Sequence, residues 1–335
     1  MISIPVIRKY PGKGRRSRSG QGLLGWAGMC PGMGLLWMLV VGVGLCATAR
    51  ADAPDRTVVL YCAQDEALAE PLLQEFTRRT GCKVLAVYDS EAVKTVGLAN
   101  RLLAERAHPA ADVFWGNEEF RTRLLARQGV FLPSNGWTAF GTRTRRLVIN
   151  TNLLSLADAP KSLVEVTNAR WRGRVALAYP SFGTTSTHFM VLRSEWGADR
   201  WAPWCQALAA NKPWIEEGNS GVVNRVGRGQ AVVGLTDSDD IAAGRREGLP
   251  VMALPTEATT LAMPNTVGII DGCRHPRRAG ELREFLMSPW VRQRLIEAGG
   301  LDAGEVAPGG LQPDWKQVLQ DFTVASEELE KLFRR

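Results

Sequence analysis

From residue 57 onward, apolar and polar positions run in repeating cycles. Residues 57–62 (TVVLYC) form a nearly continuous apolar run of strand length. After the polar break Ala63-Gln64-Asp65-Glu66, apolar residues recur at helical spacing at Leu68, Leu72, Leu73 and Phe76. Gly81 then fits the position just past a helix end. A second cycle has an apolar run over 83–88, the turn Asp89-Ser90-Glu91, and a helix over about 92–106. A third has a strand over 112–115, the turn Gly116-Asn117-Glu118-Glu119, and a helix to Gln128. Strand–helix repetition of this kind predicts an α/β fold with parallel strands and right-handed crossovers. Each such strand delivers its following turn to one sheet edge, where open α/β sheets bind ligands. Gln64, Asp65, Glu91 and Glu118 are therefore expected on a common edge.

The pattern then loosens. A strand is expected over 147–150 after a stretch of loop, and the basic, aromatic approach over 140–146 reads as a crossover into a second lobe. A strand over 174–178 leads through a hydroxyl-rich turn into a helix reaching Glu195. Gly183, Thr184, Thr185 and Ser186 at that helix start either cradle an anion with backbone N–H groups and hydroxyls, or supply one capping hydroxyl. Asn219, at the head of a helix to Arg228, has the same two readings. The apolar run from Ala231 breaks into Thr236-Asp237-Ser238-Asp239-Asp240 before a helix over 241–247. One side chain suffices to cap that helix. The remaining carboxylates repel one another, which leaves a ligand site and a capped helix start as equally open readings. Further strands are expected near 250–254 and 266–270, and helices over 277–287, 289–298 and within 313–335. Trp201 and Trp204, on a helix over 200–210, read as packing residues.

At 335 residues the chain can hold two lobes. The expected division is a leader over 1–51, a first lobe over 52–145, a second over 146–255, and a return with C-terminal helices over 256–335. The formal charge of +7 comes from the leader, which carries seven basic residues and no acid. The remainder balances 34 basic against 34 acidic residues, so charge gives no argument for nucleic-acid binding. A basic start, an apolar core over 35–45 and the small-residue site Ala49-Arg50-Ala51 predict an export signal. The alternative is an uncleaved anchor, since 22–47 is long enough to span a membrane. Cys62, Cys82, Cys205 and Cys273 match no metal spacing; buried thiols are expected for Cys62 and Cys82, whose parallel strands would set them at opposite sheet edges, while the pairing of Cys205 with Cys273 stays open. No GxxxxGK[ST], GxSxG or HExxH motif occurs, and there are only three histidines. Any catalysis, as in a secreted hydrolase, would rest on carboxylates alone. A non-enzymatic binding role is expected instead.

The ordered segments VVLYCAQDEALAEPLLQEFTRRTG, AVYDSEAVKTVGLANRLLAE, ADVFWGNEE, NTNLL, RGRVALAYPSFGTTSTH, VGLTDSDD and PNTVGIIDGCRHPRRAGELREFLMSP resemble the periplasmic ferric-iron-binding proteins of ABC importers. The resemblance covers about 57–300. It implies a type 2 periplasmic-binding fold: two α/β lobes with mixed, mainly parallel sheets, joined by crossing hinge strands. It also implies a monomer that closes on ligand in the periplasm and docks on an inner-membrane permease with its ATPase. Carried over residue by residue, the metal ligands fall on Asp65, Glu118, Asp239 and Asp240. A synergistic anion falls on Gly183, Thr184 and Thr185, with Asn219 and Asp237 beside it. One departure matters: the family's adjacent tyrosine pair is here Asp239-Asp240. An all-carboxylate set including Glu91 still suits Fe(III) or another hard cation. It would equally take an organic cation of the thiamine or polyamine kind, while the Gly183–Ser186 turn would serve a phosphorylated compound.

Overall fold

The computed structural model describes residues 56–89, 94–133, 136–304 and 310–333. The expected leader and Glu91 lie outside the described residues. The three cycles appear as β1 (Thr57–Cys62), α1 (Glu66–Thr80), β2 (Lys83–Val87), α2 (Lys94–Ala104), β3 (Val113–Gly116) and α3 (Glu119–Arg127). β1 pairs in parallel with β2 on one side and β3 on the other. Its unbroken apolar run follows from burial on both faces. Val58, Leu60 and Cys62 pack on Leu72, Leu73 and Phe76 of α1, while Tyr61 packs with Leu98 and Leu102 of α2. Gly81 ends α1 in the left-handed region at φ 67°, its N–H donating to the Thr77 carbonyl.

β4 (Trp137–Asn150) corrects one expectation: the stretch read as loop is strand, continuous through Asn150 apart from one bulge. Its first half is too polar to announce itself, because its partners are distant in sequence. Beyond it come short 3₁₀ turns over 163–167 and 169–171. Next are β5 (Val175–Ala178), α4 (Gly183–Trp196), α5 (Ala198–Ala210), β6 (Trp214–Glu216), α6 (Asn219–Gly227) and β7 (Val233–Asp237). The chain continues through α7 (Ser238–Arg246), β8 (Val251–Ala253), β9 (Ala262–Ile269), α8 (Pro276–Leu286), α9 (Pro289–Glu297) and α10 (Trp315–Leu332).

The strands form one curled sheet in the order β2-β1-β3-β9-β4-β7-β5-β6, with β8 also on β4. The first half of β4 pairs antiparallel with β9, and the second half with β7 and β8. β4 is therefore shared by both halves of the molecule. The first lobe gathers around β2-β1-β3-β9 and the second around β7-β5-β6. The segment 256–335 does not all return to the first lobe. β9, α8 and α9 do, but α10 packs on α4 and α5. Its Ala325, Leu329 and the following Phe333 join the cluster that holds Phe189, Trp201 and Trp204. Cys62, Cys82 and Cys205 are buried. Among the described residues no helix is long and apolar enough to cross a membrane.

Candidate functional site

A cleft of about 640 Å³, counted to its open mouth, lies where the strand ends of the two lobes face each other. The first lobe contributes Gln64 and Asp65 after β1, Thr95 and Val96 of α2, and Asn117 after β3. Thr95 Oγ1 donates to Asn117 Oδ1 at 2.7 Å, which ties α2 to the β3 turn. The second lobe contributes Tyr179, Phe182, Gly183, Thr184 and Thr185 at the start of α4, Glu217 and Asn219 around the start of α6, and Asp237, Asp239 and Asp240. Strand and helix meet directly there: β7 ends at Asp237 and α7 begins at Ser238, so Asp239 and Asp240 lie in its first turn. This corrects the expected polar turn before a helix at 241.

Two arginines of β4 set the electrostatics. Period-two alternation puts Arg143, Arg145 and Leu147 on one face of the strand. Register places Arg145 opposite Asp237. Arg145 Nη1 donates to Asp237 Oδ1 at 2.8 Å, Asn219 Oδ1 at 2.9 Å and Thr184 Oγ1 at 3.2 Å, and Nη2 donates to Thr185 Oγ1 at 3.1 Å. Asp237 also accepts from Thr184 Oγ1 at 2.8 Å and Asn219 Nδ2 at 3.1 Å, but makes no capping bond to α7. Arg143 Nε lies 3.4 Å from Asp237 Oδ2 and 3.3 Å from Asp239 Oδ2. Burial opposes the Asp237 charge, but Arg145 and Arg143 outweigh it and hold its pKa below the usual carboxylate value. Burial also opposes the Arg143 charge, and Asp239, Asp237 and Asp240 outweigh that in turn.

Asp239 and Asp240 are left differently. Carboxylate oxygens of Asp237, Asp239 and Asp240 lie within 4.8 Å of one another. Burial, then the charges of Asp237 and Asp65, push the Asp239 pKa up to about 7 against the pull of Arg143. Burial and the charges of Asp239, Asp237 and Asp65 raise that of Asp240 as well. Asp239 Oδ1 is buried and makes no hydrogen bond. The cleft thus holds one neutralised carboxylate and two strained ones, with Asp65 acting on both across the gap.

Of the residues expected from sequence, the cleft brings together Gln64, Asp65, Gly183, Thr184, Thr185, Asn219, Asp237, Asp239 and Asp240. It does not include Glu118 or Ser186. Glu118 is fully buried and turns to cap α3, accepting from Arg121 N at 3.1 Å and from Thr187 Oγ1 of α4 at 3.0 Å. Burial raises its pKa. Ser186 is buried in α4, behind the cleft wall. The residues missed were Arg143 and Arg145. Their signal was the i, i+2 spacing of two arginines in Thr142-Arg143-Thr144-Arg145, which is visible only once that segment is read as strand.

The sequence model of the bacterial extracellular solute-binding protein family matches residues 58–300. The chain belongs to that family. An "Fe(3+)-binding periplasmic protein" of Serratia marcescens is 28% identical over 219 residues, which are 61% of this chain and 63% of the relative. A "Major ferric iron-binding protein" of Neisseria meningitidis is 24% identical over 164 residues, 43% of this chain and 48% of the relative. This solute-binding protein thus spans between about half and just under two thirds of these curated relatives. Iron-bound HitA of Pseudomonas aeruginosa superposes with a TM-score of 0.70 at 20% identity, covering 83% of this chain and 99% of HitA. AfuA of Actinobacillus pleuropneumoniae, solved with fructose-6-phosphate, gives 0.66 at 18%, covering 82% and 96%. These likenesses establish the two-lobed, type 2 periplasmic-binding fold.

Proposed function

We propose that this solute-binding protein is the periplasmic, monomeric, non-enzymatic capture component of an ABC importer. It takes a hard metal cation, Fe(III), into the cleft and delivers it to a membrane permease driven by an ATPase. The observation that carries the reading is Asp239 Oδ1, a buried and unpaired carboxylate oxygen beside Asp240 and within the field of Asp65. Hard cations prefer such oxygen donors, and a bound trivalent ion offsets both the burial and the mutual repulsion that raise the two pKa values. The ligands are Asp239 and Asp240 from one lobe and Asp65 from the other, so binding draws the lobes together. Asp237 serves as the fixed partner of Arg145 and Arg143. The Thr184 and Thr185 hydroxyls already bond Arg145, which leaves the first backbone N–H groups of α4 for a synergistic anion.

A second reading has its own support. Tyr179 and Phe182 line the same cleft with ring centroids 5.4 Å apart, and aromatic faces beside carboxylates suit an organic cation.

Native mass spectrometry with elemental analysis, on protein purified from its own envelope, separates the two. Stoichiometric iron that is lost in Asp239→Asn supports metal capture. A metal-free protein carrying an organic mass supports the second reading and ends the first.

A further inference from the structure

The second lobe holds another cavity, of about 760 Å³ counted to its mouth. It lies one rung along the same sheet face from the cleft. β4 and β7 pair Arg145 with Asp237, and then Leu147 with Leu235. Asp237 of the first rung lines the cleft, whereas Arg145 and both residues of the second rung line this cavity. α4 repeats the step: Thr184 bonds Arg145 on the cleft side, and His188, one turn on, lines the cavity. Leu163 and Leu254 complete buried apolar walls, while Leu156, 51% exposed, stands at the mouth.

Lys161, Thr256, Glu257, Thr259 and Thr260 share the lining. Lys161 Nζ donates to the Leu156 and Ala157 carbonyls, and Glu257 accepts from Leu163 N and Thr259 N, whereas two buried polar groups hold unpaired atoms. Arg145 and His188 are each 1% exposed. The Arg145 Nη atoms are committed to Asp237, Asn219, Thr184 and Thr185, but its Nε makes no hydrogen bond. His188 Nε2 lies 2.8 Å from the Thr259 carbonyl, so it is the nitrogen that carries the proton. Burial, and then the Arg145 charge, push the His188 pKa down to about 3 and keep the ring neutral. Its Nδ1 is therefore an acceptor, buried and without a partner. One unpaired donor and one unpaired acceptor thus belong to residues lining a chamber, apolar in its larger part, that the ligand cleft does not use.

We propose that this cavity binds a small apolar molecule carrying one hydroxyl, a phenol or similar alcohol, whose O–H donates to His188 Nδ1 while its oxygen accepts from Arg145 Nε. The chemistry selects this class. A carboxylate would set its lone pairs against those of His188. An ammonium group would meet the Arg145 charge. A plain hydrocarbon would fill the walls and leave both polar atoms unpaired, which costs binding strength.

The test is calorimetric titration of the full chain with phenol and with benzene, together with methyl NMR shifts. Phenol is expected to saturate at one site, about tenfold tighter than benzene, the worth of one net hydrogen bond. The shifts are expected at Leu147, Leu163, Leu235 and Leu254. His188→Gln places its amide nitrogen near the Nε2 position and carries no acceptor atom at the Nδ1 position, so it should erase the preference for phenol. No saturable binding, equal affinity for the two probes, or shifts confined to other residues would each overturn the proposal. So would a folded H188Q that keeps the phenol preference. If H188Q does not fold, the wild-type comparison and the shift map decide by themselves. The outcome is independent of what occupies the cleft.

Discussion

At the scale of single residues, the cleft is governed by how three adjacent aspartates divide their charge. Asp237 is neutralised by Arg145 and Arg143, and Asp239 is not. The raised pKa of Asp239 means that the folded protein holds a proton there which the unfolded chain has lost. Its contribution to stability is therefore present below about 4 and lost as pH rises towards about 7. Wild-type protein should lose stability relative to Asp239→Asn across that window, as read by urea unfolding at successive pH values; a constant difference would contradict the assignment. Cation binding must displace the same proton. Affinity should fall up to about tenfold per pH unit below about 7, with proton release measurable by titration in buffers of different ionisation heat. Arg145→Met leaves Asp237 buried without its main partner and should cost on the order of 3–5 kcal/mol. A loss under 1 kcal/mol in chemical unfolding would show that Arg143 alone holds Asp237.

At the scale of elements, β4 decides the architecture. Between Phe140 and Thr142 its pairing with β9 slips by one residue, and Gly141 takes φ 55°. A Cβ there would meet the Leu301 side chain in a backbone region that L-residues avoid. Gly141→Ala should destabilise by at least about 1 kcal/mol, with an unfolding midpoint shift as the check. α10 is the other deciding element, because it fills the apolar face of α4 and α5. Leu329, fully buried in that cluster, should cost about 2–5 kcal/mol on mutation to Ala, and a neutral result would mean that α10 does not dock as described.

At the scale of the whole molecule, one strand shared by both halves of the sheet links the lobes, so closure is the motion the fold makes available. With Asp65 on one lobe and Asp239 and Asp240 on the other, ligand should reduce the radius of gyration in solution scattering. Asp65→Asn should abolish that reduction while leaving the ligand-free profile unchanged. An unchanged profile on saturation would mean that the ligand is held by one lobe alone.

Local pattern determined the α/β cycles, because a strand buried on both faces and an amphipathic helix each write their burial directly into short-range periodicity. The run 57–62 and the spacing of Leu68, Leu72, Leu73 and Phe76 carry that record, as does the convergence of Gln64, Asp65 and Asn117 on one edge. Chain order together with family resemblance gave the two-lobed class. The tertiary structure alone decided three things. It made a strand of 137–144, whose ladder partner lies more than a hundred residues away. It turned Glu118 away from the cleft to cap α3 and meet Thr187. It also placed Arg143 and Arg145 against Asp237, so that an apparent all-carboxylate site became a half-neutralised one. Burial periodicity is a property of neighbours in sequence, whereas charge compensation depends on distances between segments that meet only in the folded chain.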